Sequence, residues 1–143
     1  MYHDILVPTD GSDSSAAAVD EAVAIAGEEG ATVHFLHVID EGTEMSAGAS
    51  GMIAPQVTET LEEEAESALD DAERRAEATG VNYERRTREG DPHEAIAVYV
   101  AEHDIDLVVM GASGRSGLKA HLLGSTTDRV VRTVDASVLI ARP

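Results

Sequence analysis

Cysteine is absent from all 143 residues, which removes disulfides, thiolate metal ligands and thiol catalysis together. Tryptophan is absent too, and one phenylalanine with three tyrosines leaves little to stack on a flavin. Basic residues are scarce. Ten Lys and Arg stand against 28 Asp and Glu, and the formal net charge of −18 repels nucleic acid and anionic membrane surfaces over the body of the chain. Any phosphate must then be held locally, by main-chain amides. No run approaches the roughly 18 apolar residues that span a bilayer. The opening MYHDILVPTDGSDSS has neither a basic n-region nor a cleavage site of a signal peptide. The expectation is a soluble protein of the cytoplasm with neither nucleic acid nor membrane as partner.

Lys119 is the single lysine, the other basic residues being arginine, and the apolar set is mostly Ala and Val. Such a surface suits a high-salt cytoplasm, because the Debye length falls to about 3 Å at 1 M salt and self-repulsion is screened. A halophilic origin is the expectation.

The length suits one domain over 1–143. Asp4-Ile-Leu-Val-Pro8 reads as a strand, and Ser15 to Gly30 carries Ala and Val at helical spacing with Gly30 as the stop. Ala31 to Ile39 is a second strand. Asp40 to Pro55 collects glycines and small polar residues and reads as a loop. From Thr58 to Thr79, Leu61, Ala65, Ala68, Leu69, Ala72 and Ala76 form one stripe, with Asp70/Arg74 and Asp71/Arg75 paired outside and Glu62, Glu63 and Glu64 solvated. Val81 to Arg88, with Arg85, Arg86 and Arg88, suits an edge strand guarded by charge. Asp91 caps a helix with Pro92 at its first position, running to about His103. A buried strand over 105–110, a helix from about Ser125 to Thr133 and a strand from Ser137 to Arg142 complete the order. Alternation of this kind demands parallel pairing through right-handed crossovers, hence an open α/β sheet covered on both faces. Ligands of such sheets sit beyond the carboxyl ends of the strands, at the switch point.

Between the last two strands the chain reads GASGRSGLKAHLLGST from Gly111 to Thr126. Glycines at 111, 114 and 124, followed by Ser125 and Thr126 as hydroxyl caps of the next helix, let the backbone approach a ligand and turn free N–H groups to phosphate oxygens. A plain strand-to-helix turn would explain the glycines by geometry alone, yet it needs neither three of them nor paired hydroxyls. Asp10 fits an acceptor for ribose hydroxyls, or else a turn carboxylate or helix cap in competition with Ser12 and Ser14. Arg115 is a phosphate clamp or a surface cation.

The spacing Gly111-x2-Gly114-x9-Gly124-Ser125, together with ILVPTDGS, HFLHVID and ASVLIARP, resembles the ATP-binding branch of the universal stress protein family over essentially the full length. The resemblance implies an adenine nucleotide alpha hydrolase-like fold with five parallel strands in the order 3-2-1-4-5. It also implies a bound adenine nucleotide, ATP, ADP or AMP; slow hydrolysis would use Mg²⁺ or Mn²⁺ carried on the phosphates, not held by a protein cage. Pro8, Thr9 and Asp10 would face ribose and adenine, Val38 would offer backbone contacts to the base, and Met110 and Gly111 would line the approach. Gly114, Arg115, Gly124, Ser125 and Thr126 would hold the phosphates. A homodimer through residues 137–142 is implied as well, matching an apolar terminal strand that would otherwise lie unprotected at a sheet edge.

No Gly-Lys-Ser/Thr closes the loop and Lys119 stands at the wrong offset, so this is not a Walker A element. Glu102 and Asp104 are conceivable bases, yet neither follows a strand at the ligand edge. The histidines are scattered, and His34 and His37, three apart on a strand, point to opposite faces and cannot share a metal. The favoured function is a nucleotide-dependent switch or sensor acting through unknown protein partners, with a slow ATP hydrolase as the alternative. A flavodoxin-like FMN carrier is a weaker alternative, with TDGSDSS as its phosphate loop. A receiver domain fails for want of an aspartate ending the third strand and a lysine ending the fifth.

Overall fold

A computed structural model describes residues 1–40, 55–113 and 123–143. The elements are β1 (Asp4–Pro8), α1 (Asp13–Glu29), β2 (Thr32–Asp40), α2 (Pro55–Thr79), β3 (Asn82–Gly90), α3 (Pro92–Glu102), β4 (Leu107–Gly111), α4 (Ser125–Thr133) and β5 (Ser137–Ala141). All pairings are parallel, in the order β3-β2-β1-β4-β5. That order excludes the flavodoxin-like carrier, whose strands run 2-1-3-4-5. The family-like expectation of 3-2-1-4-5 holds. Of the expected loop from Asp40 to Pro55, Asp40 closes β2 and Pro55 opens α2; residues 41–54 lie outside the described residues.

Central strands bury both faces, so β1 and β4 read as apolar runs, Ile5-Leu6-Val7 and Leu107 to Met110. On one face Ile5, Val7, Val33 and Phe35 pack with Ala18, Val19 and Ala22 of α1 and Leu69, Ala72 and Ala76 of α2. On the other, Leu6, Leu36, Val108 and Met110 meet Ile96, Tyr99 and Val100 of α3 and Val130 of α4. The small alanines let α1 and α2 lie close to the sheet.

α1 begins two residues earlier than its apolar spacing suggests, because Ser12 is the N-cap and its hydroxyl accepts from the Ser15 N–H at 3.2 Å. Gly30 ends it in the left-handed region at φ 71°. α3 is capped by Asp91, with Pro92 in the first turn, as expected.

The outer face of α2 differs from expectation in one pair. Asp71 binds Arg75 at 2.9 Å, but Asp70 turns to Arg85 of β3 at 2.8 Å instead of Arg74. Arg74 takes Asp71, at 3.3 Å. The cause is tertiary: Arg85 rises from the neighbouring strand into a group of carboxylates, Glu66, Asp70 and Glu73, and outcompetes a partner on the same helix. Arg85 therefore binds β3 to α2, and the edge is guarded by Arg86 and Glu84, which pair at 3.2 Å.

Candidate functional site

Beyond β1 the chain leaves toward β2 and β3, and after α3 it returns on the other side of β1 to form β4 and β5. The carboxyl ends of β1 and β4 are therefore the switch point. Three local features shape it.

Pro8 is the first. The β1 register with β4 stops at Leu6↔Val108. The next bond on that side would need the N–H of residue 8, which proline lacks, so β1 and β4 part there.

Gly111 is the second. It lies at the end of β4, where an added Cβ would stand 2.6 Å from the carbonyl carbon of Ser14. Sequence reasoning gave this glycine to the ligand; its demonstrable work is close packing against the first turn of α1. Its carbonyl accepts from the Thr127 hydroxyl at 2.9 Å, and the Ala112 carbonyl accepts from the Gly124 N–H at 2.7 Å. These bonds pin the start of α4 beside the end of β4. Ser113 completes the seam, its hydroxyl 3.5 Å from that of Ser14.

The third is the first turn of α4. Its N-cap is Gly124, at φ −63° and ψ 156°, with no side-chain cap hydrogen bond among the described residues. This corrects the expectation of hydroxyl caps: Ser125 and Thr126 are the first two helical residues, and Thr127 spends its hydroxyl on Gly111. The amides of 125–127 have no acceptor within the helix. An uncapped helix start presents its N–H groups and positive dipole end to an anion.

On the β1 side, Thr9 is buried. Its hydroxyl donates to Ser15 at 3.2 Å, its N–H to Leu36 at 2.9 Å, and its carbonyl accepts from His37 Nδ1 at 2.8 Å. Its side chain thus faces α1 and serves the turn. Asp10 accepts from the Ser12 N–H at 2.9 Å, an Asx turn, while Ser12 itself caps α1. Met110 packs into the apolar cluster beneath α3 and α4. Val38 lies past the end of β1, since β2 continues beside β3 to Asp40↔Gly90 while β1 ends opposite Leu36.

Pro8, Thr9, Asp10, Val38, Met110, Gly111, Gly124, Ser125 and Thr126 are thus all set at or next to this edge of the sheet. Gly114 and Arg115 lie outside the described residues. Glu102 and Asp104 precede β4 and stand at the opposite edge. His37 was missed as part of the site; the signal was its place in HFLHVID, just where β2 outruns β1. Its neighbour His34 points to the other face and bonds Tyr99 at 2.8 Å and Asp4 at 3.0 Å. Among the described residues no helix is long and apolar enough to cross a membrane.

The family model described as the universal stress protein family matches residues 1–142. A universal stress protein of Methanocaldococcus jannaschii is 35% identical over 142 residues, covering 99% of this chain and 83% of the relative. A solved structure of a second protein from that organism superposes with a TM-score of 0.87 at 29% identity, covering 100% of this chain and 97% of the other. A universal stress protein solved in complex with cAMP is 30% identical, with a TM-score of 0.70 over 98% of this chain and 96% of its own.

Proposed function

The chain belongs to the universal stress protein family, and on that premise we propose that it binds an adenine nucleotide, ATP, ADP or AMP, at the switch point between β1 and β4. The observation that carries this reading is the bare first turn of α4, fixed beside the gap that Pro8 opens. A relative at 30% identity was solved with cAMP, which shares the adenine, ribose and phosphate.

The polarity of the site orders the ligand. Asp10 and Asp13 occupy the α1 side, where a phosphate would be repelled. Phosphates therefore belong at Gly124, Ser125 and Thr126, with Gly114 and Arg115 completing the cradle, and the ribose and base belong toward Pro8, Thr9, Asp10 and Val38. Hydrogen bonds to charged groups contribute about 1.5–3 kcal/mol each, so three or four account for much of a micromolar affinity before association costs. Mg²⁺ or Mn²⁺ would ride on the phosphates.

The function that fits is a nucleotide-dependent switch or sensor in the cytoplasm, in a single domain over 1–143, working as a homodimer through residues 137–142. β5 lies at the sheet edge, with Val138, Leu139 and Ile140 half-buried in one chain. The acidic, lysine-poor surface supports a halophilic setting. The test is mass spectrometry of small molecules released from the denatured, purified protein, followed by calorimetry with ATP, ADP and AMP in high salt. Near-stoichiometric adenylate supports the reading, and flat titrations with all three overturn it. Repeated phosphate release that a Gly114 substitution abolishes would favour the slow hydrolase.

A further inference from the structure

In a parallel ladder the N–H and C=O of one residue point to the same side, and alternate residues of a strand face the same neighbour. Thr32 donates to the His3 carbonyl and Leu36 accepts from Thr9, so the even-numbered residues of β2 face β1. The next rung would run from the Val38 N–H to the Thr9 carbonyl.

That rung is replaced. Among the described residues the Thr9 carbonyl is taken by the half-buried His37 ring, its Nδ1 2.8 Å away, and the β1 register with β2 ends at Pro8↔Leu36. A carbonyl oxygen only accepts, so Nδ1 carries a proton. Neither neighbour can drift off. Val38 is held in register with Arg88 of β3, and Thr9 is tied down through its N–H and its hydroxyl.

We propose that His37 is a positioning residue of the nucleotide site: by occupying the Thr9 carbonyl, its ring keeps the Val38 N–H out of the ladder and available to an acceptor nitrogen of the purine. The inference rests on the adenylate reading of the switch point and adds what keeps the base-binding amide open. An imidazole bond to a carbonyl is comparable in strength to a backbone rung, so the exchange leaves the sheet nearly as stable. A base then gains a donor without any backbone bond being broken.

The test is amide hydrogen exchange, read by NMR on the nucleotide-free chain, for wild type, His37→Leu and His37→Asn. Leucine cannot donate, whereas the asparagine Nδ2 can stand in for Nδ1. The expected result is a fast-exchanging Val38 amide in wild type, at least about tenfold slowing in His37→Leu, and return to fast exchange in His37→Asn. ADP affinity should fall about tenfold in the leucine variant and recover in the asparagine one, the loss of one neutral hydrogen bond. A Val38 amide already protected in wild type overturns the proposal. So does one unchanged in His37→Leu while Leu36 and Phe35 remain protected. If exchange follows His37 but no variant, wild type included, binds ADP, the release of the amide stands and the adenylate reading fails.

Discussion

Gly111 and Ser14 are in contact closer than any side chain on residue 111 permits: a Cβ there would meet the Ser14 carbonyl carbon, Cβ and carbonyl oxygen at 2.6, 2.7 and 2.8 Å. Two of those atoms are backbone and cannot swing aside. Gly111→Ala must push α1 off the end of β4, an overpacking cost of about 1–3 kcal/mol. Thermal denaturation should show Tm lowered by roughly 3–12 °C. A Tm unchanged within error would mean that α1 is free to shift.

Gly124 tests the phosphate end separately from stability. Its φ of −63° suits any residue, and among the described residues no side chain caps α4. In Gly124→Asp the new carboxylate would accept from the first-turn amides and repel a phosphate. Calorimetry should show at least tenfold weaker ADP binding with Tm within about 2 °C of wild type. Undiminished affinity would place the phosphates elsewhere.

Tyr99 and His34 form the main polar contact within the second apolar cluster. His34 is 3% exposed and takes the Tyr99 hydroxyl on Nδ1 at 2.8 Å. Burial pushes the Tyr99 phenol above its ordinary range, so it stays protonated and able to donate. Tyr99→Phe strands a buried ring nitrogen and should lower urea-unfolding stability by about 1–3 kcal/mol. His34→Leu combined with Tyr99→Phe should cost less than the sum of the two single changes. Additive costs would show that the two side chains act independently.

Glu73 offers a pH readout. Its carboxyl is held below the ordinary range, first by the Tyr83 hydroxyl and then by the Arg85 guanidinium. A depressed folded value means that this contribution to stability is complete above the unfolded carboxylate range near about 4.3 and is lost as pH falls through the lower folded value. In Tyr83→Phe the NMR titration of Glu73 should move upward, and acid unfolding should begin at a higher pH. An unmoved titration would show Arg85 to be sufficient alone.

The charge of −18 sets a last expectation. Salt screens self-repulsion, so Tm should climb as KCl is raised from 0.1 to about 2 M, most steeply at the low end. Full, cooperative stability in salt-free buffer would argue against a halophilic setting.

Element type and order were legible in the sequence because each rests on local pattern. Ile5-Leu6-Val7 and Leu107 to Met110 are apolar without alternation, as strands buried on both faces must be, and the alanine stripe of α2 and the Asp91-Pro92 start of α3 follow helical periodicity and capping. The switch point beyond β1 and β4 was legible for the same reason, since it follows from the order of the elements. Contacts between distant segments were not. Whether Asp70 binds Arg74 or Arg85, whether Gly111 serves a ligand or Ser14, and which group takes the Thr9 carbonyl depend on strands and helices brought together from residues far apart in the chain. A periodic pattern fixes which face a residue occupies. Only packing decides what waits on that face, because side chains of similar chemistry compete for one partner and distance settles the competition.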